Sequence, residues 1–298
     1  MNKTAEAQTI REEQVLKQNY FIFGHNISHS LSPTLHNTGF HELGLPHHYA
    51  VHQTEAVDTT VENILKQPNF GGASVTFPHK LQIGRLLDSI SPSAQKVGAV
   101  NTIVVQGHGS ERHLLGENTD WVGIRRCIER STQGDLGTST MLVLGAGGAA
   151  RAACYTAQVL GVAQLLIVNR TVSRGEDMAS NFQQVQSCVL GTFQEAVKIA
   201  TTPIRVIVAC VPADDLGEEK IPSELFSGSA TGVLVEMAYR PQITGMMKVA
   251  ARYPGWKVCK GIDVLEEQAY EQFQMWTGKP PPVGAMHEAM RAKAKANM

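Results

Sequence analysis

Short apolar runs alternate with amphipathic stretches along most of the chain, and this pattern predicts strands and helices in turn. Buried strands are expected at YFIFG, HHYAVHQ, ASVTF, VGAVNTIVV, MLVL, QLLIV, IRVIVACVP and GVLVEMAYRP, which occupy residues 20–24, 47–53, 73–77, 97–105, 141–144, 164–168, 204–212 and 232–241. Because strand and helix alternate repeatedly, the pattern favours the α/β class with a parallel, doubly wound sheet.

The helical stretches carry more local detail. Helices are expected to about Leu43 after Ser32 and Pro33, over about 56–66, 81–87 and 120–130, and from Leu265 to Gly278. In the last of these, the apolar stripe Leu265, Ala269, Phe273 and Trp276 predicts the core face. Gln268 borders that stripe, which suits either an ordinary rim residue or a side chain turned into a cleft.

Residues 141–174 form the most informative stretch. An apolar run leads into Gly145, Gly147 and Gly148, then a stretch of helix formers ending near Gly161, then a second apolar run. Glycines let the backbone N–H groups approach a pyrophosphate closely at the start of a helix. The stretch therefore predicts a dinucleotide-binding βαβ unit, with a tight turn of some other α/β protein as the alternative.

The end of the second strand in this unit indicates which nucleotide binds. An NAD site favours an acidic residue there, whereas an NADP site favours cations for the 2′-phosphate. The chain has Asn169, Arg170, Thr171 and Arg174, with no acid before Glu176. Guanidinium groups bind phosphate well, so NADP is expected, although a solvated turn can also carry arginines.

Composition narrows the classes of protein to which the chain can belong. The chain has 298 residues, 43% hydrophobic and 18% charged, which suits a soluble globular protein of two domains. A net charge of −1 gives no electrostatic case for binding nucleic acid. No apolar run is long enough for a membrane helix, and residues 1–18 lack the apolar core of a signal peptide. These residues are expected to be an extension outside the fold.

Cysteine and histidine usage argues against a disulfide framework and a metal site. The five cysteines are an odd number without CxxC spacing, as expected for reduced thiols in the cytosol. The pairs His25 with His29 and His48 with His52 match no recognisable ligand motif, so no metal is predicted.

Three polar positions at predicted element ends are candidates for chemistry. Ser30 and Ser32 stand at a helix start, where they suit capping or the binding of a carboxylate. Lys80 follows a buried strand, where α/β proteins place their sites, although a lysine is by default a surface residue. Asp120 opens a helix that Asn118, Thr119 or Asp120 itself can cap.

The order of these motifs resembles the shikimate dehydrogenase family. The resemblance extends over about 20–278 and rests on ISHSLSPTLHN (27–37), SVTFPHK (74–80), GAVNT (98–102), GENTDWVG (116–123), GAGGAARA (145–152), NRTVSR (169–174) and GIDVLEEQ (261–268). It implies reversible reduction of 3-dehydroshikimate to shikimate by NADPH, in a cleft between two domains. The substrate domain is expected at 19–117 and 262–298, and the NADP domain at 118–261.

The resemblance also implies roles for individual residues. It implies Lys80 and Asp120 as the catalytic pair. The substrate-binding residues it implies are Ser30, Ser32, Ser74, Thr76, Asn101, Tyr239 and Gln268. The NADP-binding residues it implies are Gly145, Ala146, Gly147, Gly148, Ala149, Asn169, Arg170, Thr171, Arg174, Met237 and Gly261. A neighbouring carboxylate favours a charged Lys80, which then stabilises negative charge on the carbonyl oxygen.

The chain departs from the family pattern at several positions. Ser74 stands where Asn is usual, Asn26 replaces Pro, CVPADD at 210–215 replaces the commoner NATSxG, and Val264 stands where Met often lies. The Ser74 change leaves substrate preference open, so a broader quinate/shikimate dehydrogenase is one alternative. A catalytically inactive metabolite-sensing regulator is another. A cytoplasmic monomer or homodimer is expected.

Overall fold

The computed structural model describes residues 16–213, 216–238 and 241–296. Most of the predicted extension, and Tyr239, lie outside these residues. The first sheet contains β1 (Asn19–Gly24), β2 (His48–Gln53), β3 (Phe70–Val75), β4 (Ser89–Ile90), β5 (Thr102–Gln106) and β6 (His113–Glu117). Its strand order is β2-β1-β3-β5-β6-β4. β5 runs antiparallel to both of its neighbours, so this sheet is mixed.

The second sheet is parallel throughout. It contains β7 (Thr140–Leu144), β8 (Gln164–Val168), β9 (Ser187–Leu190), β10 (Ile204–Ala209), β11 (Gly232–Glu236) and β12 (Trp256–Cys259). The order β12-β11-β10-β7-β8-β9 reverses direction between β7 and β10, and ligands of doubly wound sheets bind beside such a switch point. The predicted α/β class with a Rossmann-type sheet is confirmed.

Eleven α-helices are assigned within the described residues. They are α1 (Ser32–Glu42), α2 (Thr59–Leu65), α3 (Pro92–Val97), α4 (Asp120–Ser131), α5 (Gly148–Val159), α6 (Val172–Ala179), α7 (Phe193–Ile199), α8 (Glu224–Ser227), α9 (Gly245–Ala250), α10 (Gly261–Thr277) and α11 (Val283–Ala296). Among the described residues, none is both long and apolar enough to cross a bilayer.

Strand alternation places a core on each face of the second sheet. Met141 and Val143 face one core, and Leu142 and Leu144 face the other, because successive side chains of a strand point to opposite sides. The C-terminal helices α10 and α11 instead pack on the first sheet. Their Phe273, Met286 and Met290 share a core with Tyr20, Leu35 and Phe40.

The segment around Lys80 differs from the predicted helix at 81–87. It forms two 3-10 turns, His79–Leu81 and Ile83–Leu86. The carbonyl of Lys80 accepts a hydrogen bond of 2.8 Å from the backbone N–H of Val100, so it is not available to a regular helical turn. The predicted strand at 97–105 is also shorter in the structure. Its first residue, Val97, ends α3, and β5 starts at Thr102.

Two helix starts differ in how they are capped. α1 begins at Ser32 itself, with Pro33 in its first turn, so Ser32 is not the capping residue suggested by the sequence. The Ser30 hydroxyl accepts the Ser32 N–H at 3.3 Å. At α4, the side-chain oxygen of Asn118 accepts the N–H groups of Asp120 (3.0 Å) and Trp121 (3.4 Å).

Helices α4 and α10 approach each other so closely that the contact requires a glycine. A Cβ atom built on Gly123 would lie 2.9 Å from the Val264 carbonyl oxygen and 3.1 Å from the backbone nitrogen of Gln268. Next to this contact, Arg126 donates to the Glu271 carboxylate at 2.7 Å, and Arg130 donates to Glu267 at 2.9 Å. The two helices are therefore fixed together by backbone contact and flanking ion pairs.

Replacing Gly123 with alanine is expected to destabilise the protein. The added methyl meets backbone atoms that cannot rotate away, and overpacking of this kind costs about 1–3 kcal/mol. Gly284→Ala is the matched control, because a Cβ at this α11 position meets no atom within 4 Å. Its helix propensity should make it neutral or stabilising. Urea unfolding midpoints measure both, and equal midpoints for the two variants would contradict the packing argument.

Candidate active site

A lysine and an aspartate meet beside the carboxyl end of β3. The ammonium of Lys80 donates to Oδ2 of Asp120 at 2.5 Å, and their side chains are only 17% and 8% exposed. Lys80 lies in the 3-10 turn that follows β3, while Asp120 is the first residue of α4. Two buried charges of opposite sign satisfy each other here, which removes much of the penalty of burying either alone.

The other oxygen of Asp120 is held by Asn101. The Asn101 amide nitrogen donates to Oδ1 of Asp120 at 2.9 Å. The Asn101 side-chain oxygen accepts the backbone N–H of Thr119 at 2.7 Å and the hydroxyl of Thr102 at 2.7 Å. The Asn101 amide is therefore held at both ends, and the carboxylate of Asp120 is held at both oxygens.

Gln268 joins the same group from α10. Its side-chain oxygen accepts from the Thr119 hydroxyl at 3.1 Å and from the Asn101 amide at 3.3 Å. Its amide nitrogen donates to the carbonyl of Leu265 at 3.0 Å. The structure thus turns Gln268 inward, which is the second of the two interpretations that the sequence left open.

Ser74 occupies the buried floor next to this group and is only 6% exposed. Its hydroxyl accepts from the Tyr49 hydroxyl at 2.7 Å and donates to the Gln272 side-chain oxygen at 2.9 Å. Gln272 in turn donates to the Thr102 hydroxyl at 2.8 Å and to the Asn101 carbonyl at 3.3 Å. Burial, the largest effect, raises the pKa of Tyr49, whereas hydrogen bonds with Ser74 and Ser32 lower it.

Sequence analysis missed Tyr49, Thr102 and Gln272. One signal for Gln272 was present, since it follows Gln268 by one helical turn on the same face of α10. Of the predicted substrate residues, Ser32 is buried and Ser30 and Thr76 are half-buried. A Cβ on Gly24 would collide with a methyl carbon of Thr76, so the end of β1 packs directly against Thr76.

The three glycines before α5 meet three different requirements. Gly145 has φ +102°, and a Cβ there would lie 3.0 Å from the carbonyl oxygen of Cys210. Gly147 faces open space, with no atom within 4 Å of its built Cβ. At Gly148, the built Cβ would lie 3.3 Å from the aliphatic stem of Lys80. The glycine turn therefore contacts the lysine of the ion pair directly.

The remaining predicted cofactor residues surround this turn. Ala146 and Ala149 are half-buried beside the glycines, and Asn169 donates to the Thr171 carbonyl at 2.7 Å. Arg170 and Arg174 are exposed, and within the described part of the chain neither forms an ion pair. α5 starts without a side-chain cap, so its first N–H groups point into the same open region.

Met237, which follows β11, approaches Gly261, the first residue of α10. A Cβ on Gly261 would lie 2.7 Å from the carbonyl oxygen of Met237. The segment after β11 is anchored by Glu236, whose carboxylate accepts from the Ala238 N–H at 3.1 Å and the Thr244 hydroxyl at 2.7 Å. Burial, the largest effect, raises the pKa of Glu236.

Metal ligands are absent from the part of the chain that the structure describes. No group of three or more histidine, cysteine, aspartate or glutamate side chains there is arranged to hold an ion. The cysteines in the described ranges are all free thiols.

Three family models match the chain. The shikimate dehydrogenase substrate binding domain matches residues 22–103, shikimate / quinate 5-dehydrogenase matches residues 127–215, and the shikimate 5′-dehydrogenase C-terminal domain matches residues 261–291. The first and third matched segments carry the strands and α10 that pack together on the first sheet.

Two individual proteins are also similar to the chain. The shikimate 5-dehydrogenase of Thermus thermophilus, solved with NADP(H) and shikimate, is 31% identical with a TM-score of 0.75, and the match covers 93% of this chain and 99% of that one. The pentafunctional AROM polypeptide of Malassezia globosa is 43% identical over 89% of this chain, and the chain spans 17% of that relative's length.

A regulatory protein also matches. The quinate repressor protein of Emericella nidulans is 33% identical over 88% of this chain and is matched over 33% of its own length. With a homologue of matching length, the same fold and all three family models in agreement, the chain belongs to the shikimate dehydrogenase family.

Proposed function

We propose that this protein is an NADP-dependent shikimate dehydrogenase that reversibly reduces 3-dehydroshikimate to shikimate. The observation that carries the proposal is the buried Lys80–Asp120 pair, whose lysine stem contacts the glycine turn at Gly148. A proton donor and a dinucleotide turn in direct contact are what hydride transfer to a ketone requires.

Lys80 acts as the donor to the ketone oxygen. NADPH, when bound, supplies the hydride, and negative charge then develops on that oxygen. An ammonium has three N–H hydrogens, of which Lys80 gives one to Asp120, leaving others for the substrate. The fixed ammonium stabilises the developing charge and delivers the proton. In the reverse direction, the neutral Lys80 amine accepts the proton from the ring hydroxyl as the hydride leaves the ring carbon, which is the same step run backwards.

The remaining polar groups suit the carboxylate and the ring hydroxyls of the substrate. Ser30 and Ser32 lie at the start of α1, where hydroxyls and free N–H groups suit the ring carboxylate. Asn101 and Gln268 lie beside Asp120 and suit ring hydroxyls, as does Thr76 after β3, with Ser74 on the buried floor. Tyr239 is proposed from the family resemblance as a partner near the carboxylate. These assignments extend to this chain the ligand named for the Thermus structure, which contains shikimate and NADP(H).

The cofactor residues suit NADP better than NAD. Arg170 and Arg174 are exposed beyond β8, and the sequence provides no acidic residue there before Glu176. Guanidinium groups bind the extra 2′-phosphate, whereas an acidic residue would repel it. The open space at Gly147 and the uncapped start of α5 suit the pyrophosphate. The domain limits predicted from the sequence, 19–117 with 262–298 for the substrate and 118–261 for NADP, are part of this proposal.

The second candidate is a metabolite-binding regulator, favoured by the match to the quinate repressor protein. Such a protein needs the pocket but not proton transfer. The charged pair is intact here and closely held at both Asp120 oxygens, which supports catalysis.

The direct test is a comparison of initial rates with shikimate or quinate and with NADP or NAD. We expect shikimate with NADP to be the fastest combination, because Arg170 and Arg174 favour the 2′-phosphate. Faster turnover of quinate would assign the broader quinate/shikimate activity. Tight binding of either acid, measured by calorimetry, without turnover of any combination would support the regulator instead.

Lys80→Met should lower kcat by about 10² or more, because removing a transition-state donor typically costs that much. Lys66→Met is the matched control, since Lys66 pairs with Glu62 on the exposed face of α2. Steady-state kinetics measure both variants. A loss of less than about tenfold for Lys80→Met would argue against the proposed donor.

Arg170→Gln should raise KM for NADP by about tenfold while leaving KM for NAD unchanged, because only NADP carries the phosphate that the guanidinium binds. Arg252→Gln is the control, since that exposed arginine pairs with Glu218 beside α9. Equal changes in KM for the two cofactors would place Arg170 outside the phosphate site.

A further inference from the structure

A continuous row of hydrogen bonds crosses the floor of the site from β2 to α4. It runs from Tyr49 to Ser74 (2.7 Å) and on to Gln272 (2.9 Å). From Gln272 it continues to Thr102 (2.8 Å), then to Asn101 (2.7 Å), and ends on Asp120 (2.9 Å). Every residue of this row is buried.

Two backbone groups fix the orientation of both side-chain amides in the row. A backbone N–H can only donate, so the Asn101 atom that meets the Thr119 N–H is its oxygen, and its nitrogen must face Asp120. A backbone carbonyl can only accept, so the Gln272 atom that meets the Asn101 carbonyl is its nitrogen. The oxygen of Gln272 therefore faces Ser74.

Each hydroxyl of the row carries a single hydrogen. Thr102 receives a hydrogen from Gln272, so its own hydrogen goes to the Asn101 oxygen at 2.7 Å or to the Thr119 hydroxyl at 3.2 Å, and the shorter contact favours Asn101. Ser74 must donate to Gln272, so the Tyr49 hydroxyl must donate to Ser74. All five hydrogen bonds point the same way and end on the carboxylate that holds Lys80.

We propose that Gln272, acting through Thr102, is a positioning residue that reinforces the Asn101 amide orientation set by the Thr119 N–H and thereby holds Asp120 in place. The proposal rests on the proposed function, because Asp120 and Lys80 are the groups that handle the proton. A reversed Asn101 amide would turn its oxygen toward the Asp120 oxygen, and two acceptors repel each other. The Thr119 N–H opposes this reversal directly, and Gln272 adds to it by leaving the Thr102 hydrogen free to bind the Asn101 oxygen.

The direction of the row also defines what Ser74 offers to a ligand. Its hydrogen is given to Gln272 and one lone pair is taken by Tyr49, so it can only accept. A ring hydroxyl that donates can bind there, but a ketone oxygen cannot. The ketone is therefore directed away from Ser74 and toward Lys80, which still has hydrogens to give.

Gln272→Glu tests the proposal, because it keeps the shape and removes the amide hydrogens. The new carboxylate oxygen would face the Asn101 carbonyl, and Thr102 would turn to donate to it and release the Asn101 oxygen. At pH 8 we expect kcat for shikimate oxidation to fall by about tenfold, with KM changed less than about threefold.

The loss should shrink as the pH is lowered toward 6. Burial raises the pKa of the introduced carboxyl, and once protonated it can donate as the amide did. The titratable groups around it are His36 on α1, Tyr49 on β2, and Asp120 on α4 beyond Thr102 and Asn101. In the wild type, burial, the largest effect, lowers the pKa of His36 to about 3, whereas a hydrogen bond with Gln272 raises it, and burial raises the pKa of Tyr49.

Gln274→Glu is the matched control, since Gln274 is exposed on the same helix and adds the same charge. We expect its kcat to match the wild type at every pH. A pH-independent loss for Gln272→Glu, an unchanged kcat at pH 8, or an equal loss for Gln274→Glu would overturn the proposal. A wild-type protein without activity would contradict the proposed function instead.

Neutron diffraction from deuterium-exchanged wild-type crystals tests the row without any variant or assay. We expect the Thr102 deuterium on the line to Asn101 and the Ser74 deuterium on the line to Gln272. A Thr102 deuterium directed at Gln272 would overturn the proposal, even if Gln272→Glu failed to fold.

Discussion

The site depends on the backbone contact between α4 and α10. Gly123 lets the two helices approach until a single added carbon would collide with the Val264 carbonyl. Asp120 lies one turn before this contact on α4, and Gln268 lies beside it on α10. Because helices are stiff over such short distances, the separation of these two polar side chains is set by the contact itself, and the flanking arginine–glutamate pairs keep it in register.

Charge burial is tolerated at this place because the two charged groups pair with each other and the carboxylate is hydrogen-bonded at both oxygens. Lys80 and Asp120 neutralise each other, and the second carboxylate oxygen takes the Asn101 amide hydrogen. Unpaired buried polar atoms cost about 1–3 kcal/mol each, so a half-satisfied arrangement would weaken both the fold and the pair. The amides and hydroxyls beneath the pair thus serve stability and geometry together.

The sequence was sufficient where structure follows from local pattern. Strands such as Met141–Leu144 and the glycine turn after it are encoded within a few residues, and the order of motifs identified the family. The sequence was insufficient where contacts between residues distant in the chain determine the structure. The Lys80 segment is not a regular helix, because the backbone N–H of Val100 donates to the Lys80 carbonyl. Gln272 could not be distinguished from other polar residues of its helix, because its hydrogen-bond partners Ser74 and Thr102 lie on β3 and β5.

The same limit applies to Ser74. The sequence marked it as a departure from the usual Asn that leaves substrate preference open. The structure shows its hydroxyl accepting from Tyr49 and donating to Gln272, which a sequence cannot reveal without the fold. The effect of Ser74 on a ligand therefore depends on where its hydroxyl hydrogen points as well as on the size of its side chain.

Gly148 links two positions that are far apart in the chain. Its missing side chain leaves room for the stem of Lys80, so the dinucleotide turn and the proton donor share one van der Waals surface. Across homologues, we expect these two positions to covary, because a side chain at the glycine position would press on the lysine stem and move the donor, whereas a shorter residue at the lysine position would leave room for it.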